Sequence, residues 1–396
     1  MAAAPEDTKA YTAARAAQLV AVFDGSGVHR ASTPGDAASG EWLCAEAARA
    51  GAEVSRVAVP LDRTVVDEAF LVCAGQRIDG LPMFDTPQAA GVLRGRLVPC
   101  GESGEIGYLE MPPNSASIKG QKLEGIRRET RHAALVVATR VTGESLAPIN
   151  AQFFSAPFGP PVLQVAGFNA AFLAAQARAG AAVEVVSRHH RVTAQSFNVA
   201  ARVAPNGDAP SAGHIVLLTP RTGWWESTAE RAGGIVAWLA GLAAADALQR
   251  RGGLRRDVRA YATCGHELGH VGLEHLLARE HKLVADAACW LHLGANLGTA
   301  SNVAMTVRTD DTAAAEAMRA LLVAEGYPAD AIRLEPASTF SGEGRDVAAH
   351  GARVLSLAGA NAHFHAASDR WPTNVSAANV AAIARAVGKW VEGEAG

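Results

Sequence analysis

The spacing of apolar and polar positions predicts a helical start to the chain. Residues 12–23 form an apolar segment of helical character, and residues 40–50 place three apolar side chains on one helix face, with charged ones off it. Gly51 then predicts a turn, and residues 54–59 predict a strand. The first sixty residues are therefore expected to fold as helix, helix, turn and strand.

Short apolar runs separated by turns continue from about residue 64 to residue 188. They predict strands at residues 69–73, 93–98, 107–109 and 133–139. Residues 161–180 then predict a strand and an alanine-rich helix that stops at Gly180.

The remaining sequence alternates apolar strands with longer helices. Residues 214–218 predict a buried parallel strand and residues 235–248 an apolar helix. Strands are expected at residues 258–263 and 288–298. The chain ends in a helix, residues 374–391, with apolar positions at the helical period.

Composition narrows the class of protein. The 396 residues are 49% hydrophobic and 19% charged, with a net charge of −3; these values are ordinary for a globular protein of two or three domains. Interspersed charges give no basic footprint for nucleic acid or an anionic membrane. The sequence shows no signal peptide and no apolar stretch of membrane length, so a cytoplasmic location is expected. The five scattered cysteines fit reduced thiols better than a disulfide framework.

One stretch concentrates the ligand chemistry of the chain. Within ten residues it carries three histidines and two glutamates: His266, Glu267, His270, Glu274 and His275. One interpretation takes this stretch as a His-Glu-x-x-His motif on a helix. His266 and His270 would then hold zinc, and Glu267 would activate water. Three glycines argue against that helix, because each costs about 1 kcal/mol relative to alanine in a helix interior. The favoured interpretation is a strand, a glycine-bearing loop and a helix opening near Leu273.

In that second interpretation, Gly265-His266-Glu267-Leu268-Gly269-His270-Val271-Gly272 resembles a known signature. It is similar to the Gly-Glu-Glu-x-Gly-x-x-Gly of the family twenty-eight metallopeptidases, the co-catalytic zinc aminopeptidases. There the first glutamate is the general base and the second a zinc ligand. The resemblance spans about residues 36–396. It implies a zinc-aminopeptidase-like three-layer α/β/α sandwich with a mixed sheet, in which Glu267 is kept as a ligand and His266 replaces the base.

The resemblance also implies a domain organisation. Residues 1–65 would form the first part of the catalytic domain and residues 191–396 its main part. Residues 66–190 resemble the β-rich protease-associated domain that the family commonly inserts between them.

Matching the other family motifs predicts a degenerate metal site. Thr219-Pro220-Arg221-Thr222 stands where the family has His-x-Asp, and Glu230-Arg231-Ala232-Gly233-Gly234 where it has Asp-Asn-x-Ser-Gly. His292 is the candidate at the strand whose carboxylate is missing, and His365 matches the last zinc-binding histidine. Three family ligands are too few for two metals. One zinc per chain is therefore expected, held by Glu230, Glu267 and His365 with help from His266, His270 or His292.

Three functions remain open on these grounds. The leading one is an aminopeptidase-type hydrolase of an amide or peptide bond in a small molecule, with His266 as the base and with Trp224, Trp225 and His292 in the substrate pocket. The second is a metal-free hydrolase or lyase using Thr222, His266 or Arg221, the last as an oxyanion or carboxylate clamp. The third is a non-catalytic descendant that binds a ligand or a protein. The sequence leaves homo-oligomerisation open.

Overall fold

The computed structural model describes residues 8–87, 91–114, 122–129, 131–141, 145–206, 213–301 and 303–396. The helices in these ranges are α1 (Ala13–Gly25), α2 (Pro34–Arg49), α3 (Lys122–Glu129), α4 (Ala170–Ala179), α5 (Thr228–Arg250), α6 (Val271–Arg279), α7 (Thr312–Ala324), α8 (Gly342–Ala349) and α9 (Ala377–Ala395). The strands are β1 (Glu53–Cys73), β2 (Gln76–Pro82), β3 (Val92–Pro99), β4 (Ile106–Met111), β5 (Ala134–Thr139), β6 (Val162–Ala166), β7 (Ala182–Val203), β8 (His214–Pro220), β9 (Asp257–Thr263), β10 (Ala287–Leu293), β11 (Met305–Arg308), β12 (Ile332–Glu335) and β13 (Val354–Gly359).

Local capping sets several helix boundaries. The hydroxyl of Thr12 accepts from the backbone of Arg15 at the start of α1, and Thr33 does the same for Asp36 at the start of α2. Pro34 occupies the first turn of α2, where its missing N–H costs nothing. The helix predicted at residues 40–50 therefore begins six residues earlier, at a capping signal that the apolar spacing does not contain.

The strands that carry the candidate chemistry form a mixed sheet. Its order is β7, β9, β8, β10, β13, β11, β12. β8 is parallel to β9 and β10, and β10 is parallel to β13. β7 and β11 are antiparallel to their inner neighbours. Strand β8 confirms the predicted buried parallel strand, and β9 and β10 confirm that strands lie at residues 258–263 and at the start of 288–298.

Alternate residues of β8 show the three layers. Ile215 and Leu217 pack in the hydrophobic core that α5 and α9 cover. Val216 and Leu218 face the opposite side, in a second core with Leu273 of α6. A strand buried on both faces requires a helical layer on each side. The predicted α/β/α sandwich with a mixed sheet is thereby confirmed.

A long ribbon connects this sheet to a smaller one. β1 pairs antiparallel with β7 from Glu53 opposite Arg202 to Cys73 opposite Val183, with a bulge between Val66 and Glu68. The far end of the ribbon carries β2 to β6 and helix α4, which share a separate core. The predicted boundaries at residues 66 and 190 therefore fall inside two continuous strands. The protease-associated character of residues 66–190 stays a prediction.

Helix α5 is the central helix of the fold. Among the described residues it is the one helix long and apolar enough to cross a membrane by length and composition. In this structure 89% of its most apolar stretch is buried, mainly against the sheet and α9. Its apolar character is thus explained by its place in the core.

Candidate functional site

The carboxyl ends of three parallel strands bring the candidate residues together. β8 is followed by Arg221 and Thr222, β9 by Cys264 to Leu268, and His292 lies near the end of β10. In open α/β sheets this edge is the usual location of ligand sites. Residues far apart in sequence therefore meet here because of strand direction.

The histidine-rich stretch is a loop, as the favoured interpretation predicts. His266, Glu267 and Leu268 form one turn of 3₁₀ helix, and α6 begins only at Val271. Gly265, Gly269 and His270 have φ values of 67°, 79° and 62°. This left-handed conformation interrupts any α-helix, so His266 and His270 do not occupy one face of a zinc-protease helix.

Glu267 lies at one end of a buried hydrogen-bond network. Its Oε1 accepts from the backbone N–H of Ala31 at 2.7 Å, and its Oε2 accepts from the hydroxyl of Thr222, also at 2.7 Å. Burial raises the pKa of Glu267 to about 7, and the two hydrogen bonds oppose that rise. Both carboxyl oxygens are therefore already engaged within the protein.

Thr222 links Glu267 to a buried ion pair. Its carbonyl accepts from Arg231 Nε at 2.7 Å, and Arg231 Nη2 lies 2.5 Å from Glu230 Oε1. His365 Nε2 is 3.6 Å from the same glutamate oxygen, while its Nδ1 donates to the carbonyl of Pro148 at 2.7 Å. We call Thr222, Glu230, Arg231, Glu267 and His365 the closed network, because all five side chains are buried.

Asp369 fixes the position of Glu230. Its carboxylate accepts from the backbone N–H groups of Ala229 and Glu230 at 3.1 and 3.0 Å, in the first turn of α5. Burial, reinforced by the charge of Glu230, raises the pKa of Asp369 to about 7. The backbone that carries Glu230 and Arg231 is thus tied to the segment that carries His365.

The donor set nominated from the sequence does not fit a zinc site. Glu267 is hydrogen-bonded at both oxygens, Glu230 contacts a guanidinium, and His270 Nδ1 is 2.5 Å from Asp346. Only Glu230 and His365 face each other with unused acceptor atoms, and zinc in proteins ordinarily takes three or four protein ligands. Within the described ranges, no group of three or more His, Cys, Asp or Glu side chains is arranged to hold a metal ion.

A second group of side chains lies beside the closed network. We call His266, His270, His292, Glu343 and Asp346 the histidine cluster. His266 Nδ1 is 3.4 Å from Glu343 Oε1, and the His266 and His270 rings are 4.4 Å apart. His292 Nδ1 is 2.8 Å from the hydroxyl of Ser356. Each histidine is therefore oriented through one nitrogen.

Burial shapes the protonation of the histidine cluster. It lowers the pKa of His292 to about 3, and it lowers the pKa of His266 well below its usual range with help from the charge of Arg231. Burial raises the pKa of Glu343, although the Thr263 hydroxyl donates to the carboxylate at 2.7 Å. His266 and His292 are consequently neutral near pH 7.

The histidine cluster borders a cavity of about 1460 Å³. Three of its members, His266, His292 and Asp346, line the wall together with residues 294–296 and 341–342. The lining carries both signs of charge, with Arg140, Arg308 and Arg345 among its cations and Glu124 and Asp346 among its acids. A ligand in this cavity would therefore lie against the wall that His266 and His292 help to form.

Of the residues nominated from the sequence, His266 and His292 line this cavity, whereas the candidate clamp and the two candidate pocket-wall tryptophans do not. Arg221 is buried 2.6 Å from Asp36 and donates to the carbonyl of Phe197, so the structure gives it a packing role in place of the expected clamp. Trp224 is fully buried and donates from Nε1 to Asn150 at 2.9 Å. Trp225 packs beside it in the same small core. Neither tryptophan is part of the cavity wall.

Sequence reasoning missed Glu343 and Asp346. Both come from α8, which the residue pattern did not predict and which faces the loops after β9 and β10. The available signal was the sequence Gly342-Glu343-Gly344. A Cβ at Gly344 would come within 2.6 Å of His292 Nδ1, so this position must be glycine for the acid-bearing turn to approach the histidines.

Solved structures with a similar fold include three bacterial enzymes. An aminopeptidase from Aneurinibacillus sp. strain AM-1 has 14% identity and a TM-score of 0.71, covering 96% of this chain and 93% of its own. BSAP, a zinc aminopeptidase from Bacillus subtilis, has 16% identity and a TM-score of 0.73, covering 95% and 94%. A peptidase M28 precursor from Shewanella amazonensis has 17% identity and a TM-score of 0.64, covering 96% and 94%.

These similarities extend over nearly the whole chain and establish a zinc-aminopeptidase-like fold. No protein-family model matches the sequence, and no curated protein does. Sequence identity below one fifth does not carry the neighbours' active sites over to this chain. Function therefore has to be argued from the side chains themselves.

Proposed function

We propose that this protein is an aminopeptidase-type hydrolase of amide or peptide bonds in small molecules, acting in the cavity beside the histidine cluster. The observation that carries the proposal is the placement of His266. Its neutral ring lines the cavity at the ligand-binding edge of an aminopeptidase-like fold, with Glu343 behind it. Amide hydrolysis needs a group there that takes a proton from water.

His266 is the proposed general base. With Nδ1–H directed at Glu343 Oε1, its Nε2 is left to accept a proton from a water molecule in the cavity. The lowered pKa keeps the ring unprotonated at neutral pH, although it also makes the ring a weaker base than an exposed histidine. In this role Glu343 holds the ring orientation and stabilises the charge that develops on it.

His292 is the proposed substrate-orienting residue. Its ring lines the cavity and Ser356 holds its Nδ1, while its buried Nε2 has no hydrogen-bond partner among the described residues. A neutral imidazole with Nε2–H donates a hydrogen bond to the carbonyl oxygen of a bound amide. The ring needs no proton uptake for this, consistent with its pKa of about 3.

The cavity suits a short, charged substrate. Its volume of about 1460 Å³ exceeds the roughly 300–1000 Å³ of many small-molecule sites. Its wall presents cations and acids to groups of either charge. An aminoacyl amide or a short peptide, with an amino group and polar carbonyls, matches this lining.

The metal predicted from the sequence is not needed for these steps. Similar folds include zinc aminopeptidases, so zinc was a reasonable expectation for this chain. The donor set does not support it, and no step proposed here passes through a metal ion. The cytoplasmic location stays a prediction.

The proposal is tested with a panel of aminoacyl amides and di- and tripeptides, assayed by release of free amine. We expect hydrolysis by the wild-type chain, unaffected by a chelator, and its loss in His266→Ala. His281→Ala, which changes an exposed histidine outside the cavity, is the matched control. If no amide is cleaved but calorimetry shows stoichiometric binding of a panel member, the cavity is a binding site and the hydrolase proposal fails.

A further inference from the structure

The buried charges of the closed network require a positive partner for Glu230. The side chains of Glu230 and Arg231 are both 0% exposed. A carboxylate removed from water remains charged only when a cation or several donors compensate for the lost hydration. Whether that cation is a metal ion or a side chain of the protein determines whether the centre depends on a metal.

The geometry around Glu230 Oε1 shows why compensation is needed. His365 donates through Nδ1 to Pro148, so its neutral ring directs the lone pair of Nε2 towards Glu230 Oε1, 3.6 Å away. Two acceptor atoms facing each other in a buried site repel unless a positive charge lies beside them. Neither atom has a hydrogen-bond partner within the described part of the chain.

Arg231 supplies a positive charge at this point. Its Nη2 is 2.5 Å from Glu230 Oε1, and its Nε donates to the carbonyl of Thr222 at 2.7 Å, which fixes the direction of the guanidinium. Arginine keeps its charge when buried, unlike lysine. The positive charge is also felt by the neighbouring imidazoles, since it contributes to the lowered pKa values of His266 and His365.

We infer that the Arg231 guanidinium is the resident cation of this centre and takes the place that a metal ion would occupy beside Glu230 and His365. A zinc ion bound at the usual distance of about 2.0–2.2 Å from a glutamate oxygen would share that oxygen with a guanidinium already in contact with it. The two positive charges repel each other, and only two protein ligands face the position. The centre is therefore metal-independent whether or not the chain is a hydrolase.

The first experiment measures metal binding by the full chain without a histidine tag. The protein is incubated with zinc, desalted and analysed for zinc by mass spectrometry, and its Tm is recorded with zinc and with a chelator. We expect no stoichiometric zinc and no shift in Tm. Stoichiometric zinc that disappears in both Glu230→Gln and His365→Ala would overturn the inference.

The second experiment tests the counter-ion role through stability. Arg231→Met removes the cation and leaves Glu230 buried and unpaired, so we expect a clear fall in Tm. In the double variant Glu230→Gln with Arg231→Met, both charges are gone, and most of the lost Tm should return. Arg319→Met, which breaks an exposed pair with Glu316 on α7, is the matched control with little change.

The double variant keeps the test decisive if Arg231→Met does not fold. Recovery of folded protein, seen by circular dichroism, only when Glu230 is also neutralised would support the ion-pair role. A single variant as stable as wild type, or a double variant no better than the single, would contradict it. Because these measurements do not involve catalysis, they stand apart from the test of hydrolase activity.

Discussion

The closed network and the histidine cluster lie side by side at one sheet edge, yet their polar atoms are satisfied differently. In the closed network, the carboxylates of Glu267 and Glu230 contact a backbone N–H, a hydroxyl and a guanidinium inside the protein. In the histidine cluster, His266 and His292 are each held through Nδ1 and border a large cavity. In the first group the Glu267 carboxyl is hydrogen-bonded and Glu230 is paired with Arg231, although both Glu230 oxygens and His365 Nε2 make no hydrogen bond within the described residues. The second group borders a space that a ligand can enter.

The difference shows that the residues at the family's ligand positions need not be the residues that border the cavity. Glu230, Glu267 and His365 occupy the positions that the family resemblance marks as metal ligands, but Glu267 is hydrogen-bonded at both oxygens and Glu230 is paired with Arg231. The histidine cluster includes only one residue, His266, at a family catalytic position, and its acids come from α8. Chemistry is therefore expected from the cluster, and structural stability from the network.

The largest effect that we predict is a loss of catalysis when His266 is replaced, which would sharpen this contrast. Replacing His266 by alanine removes the proposed base while leaving the cavity open. General acid–base catalysis typically contributes about 10²–10⁴-fold, so kcat/KM for a cleaved amide should fall by that order. Steady-state kinetics on the most reactive panel substrate measures it. Unchanged kinetics in a folded His266→Ala protein would place the chemistry outside the histidine cluster.

A comparable effect on stability is expected at Arg221, the candidate clamp that proved to be buried with Asp36. Arg221→Met leaves Asp36 without its cation, and breaking a buried pair by removing one partner costs about 3–5 kcal/mol of unfolding free energy. Denaturant unfolding measures the loss. At temperatures where the variant remains folded, kcat should stay close to wild type, since Arg221 does not line the cavity.

The control for Arg221 is Arg56→Met, which breaks the exposed pair with Glu41. Exposed ion pairs are worth about 0–1 kcal/mol, so this change should be small. If Arg221→Met abolished catalysis without loss of stability, Arg221 would be a functional clamp after all.

A smaller effect is expected from Glu343, which orients His266. Glu343→Gln keeps the size of the side chain and weakens the interaction with a charged imidazole. We expect kcat to fall on the order of tenfold, or about 1.4 kcal/mol, with KM nearly unchanged. Thr263→Val, which removes a hydrogen bond to Glu343 but keeps the carboxylate, should reduce kcat less. A rise in KM with constant kcat would indicate that Glu343 acts on substrate binding.

The sequence predicted the sheet and the loop of this site well because their signals are local. Buried apolar runs marked β8, β9 and β10, and the glycines around His266 marked a loop where a helix was the competing interpretation. The left-handed conformations at Gly265 and Gly269 explain why that signal was reliable. Strand order and the long β1–β7 ribbon depend on pairing between distant residues, which local patterns do not encode.

The composition of the site was harder to predict because it depends on which side chains become partners. The family resemblance marks Glu267 as a metal ligand. In the structure, one of its carboxyl oxygens accepts a hydrogen bond from the backbone N–H of Ala31, more than two hundred residues earlier. Arg231 follows Glu230 directly in the sequence, but the local pattern does not reveal that the two side chains pair with each other. The sequence predicts that Trp224 and Trp225 form a pocket wall, whereas in the structure Trp224 is fully buried in the core.

The last effect that we predict is a dependence of stability on pH, caused by the buried histidine His29. His29 stacks on Phe23 with ring centroids 3.8 Å apart, and its backbone N–H donates to the carbonyl of Trp225. Burial lowers the pKa of His29 to about 4, with Arg221 also lowering it and Asp24 opposing. The ring is therefore neutral in the folded chain across much of the acidic range.

This depressed pKa makes stability fall on acidification. An unfolded histidine takes up a proton below a pKa of about 6.5, whereas folded His29 does so only near its pKa of about 4. The contribution of neutral His29 is complete above pH 6.5 and is lost as the pH falls towards 4, at up to about 1.4 kcal/mol per pH unit. His29→Gln should lower stability at every pH through lost stacking, but it should remove this slope. Denaturant unfolding of wild type, His29→Gln and the exposed control His281→Gln across this range measures it, and equal slopes in all three would show that His29 is not responsible.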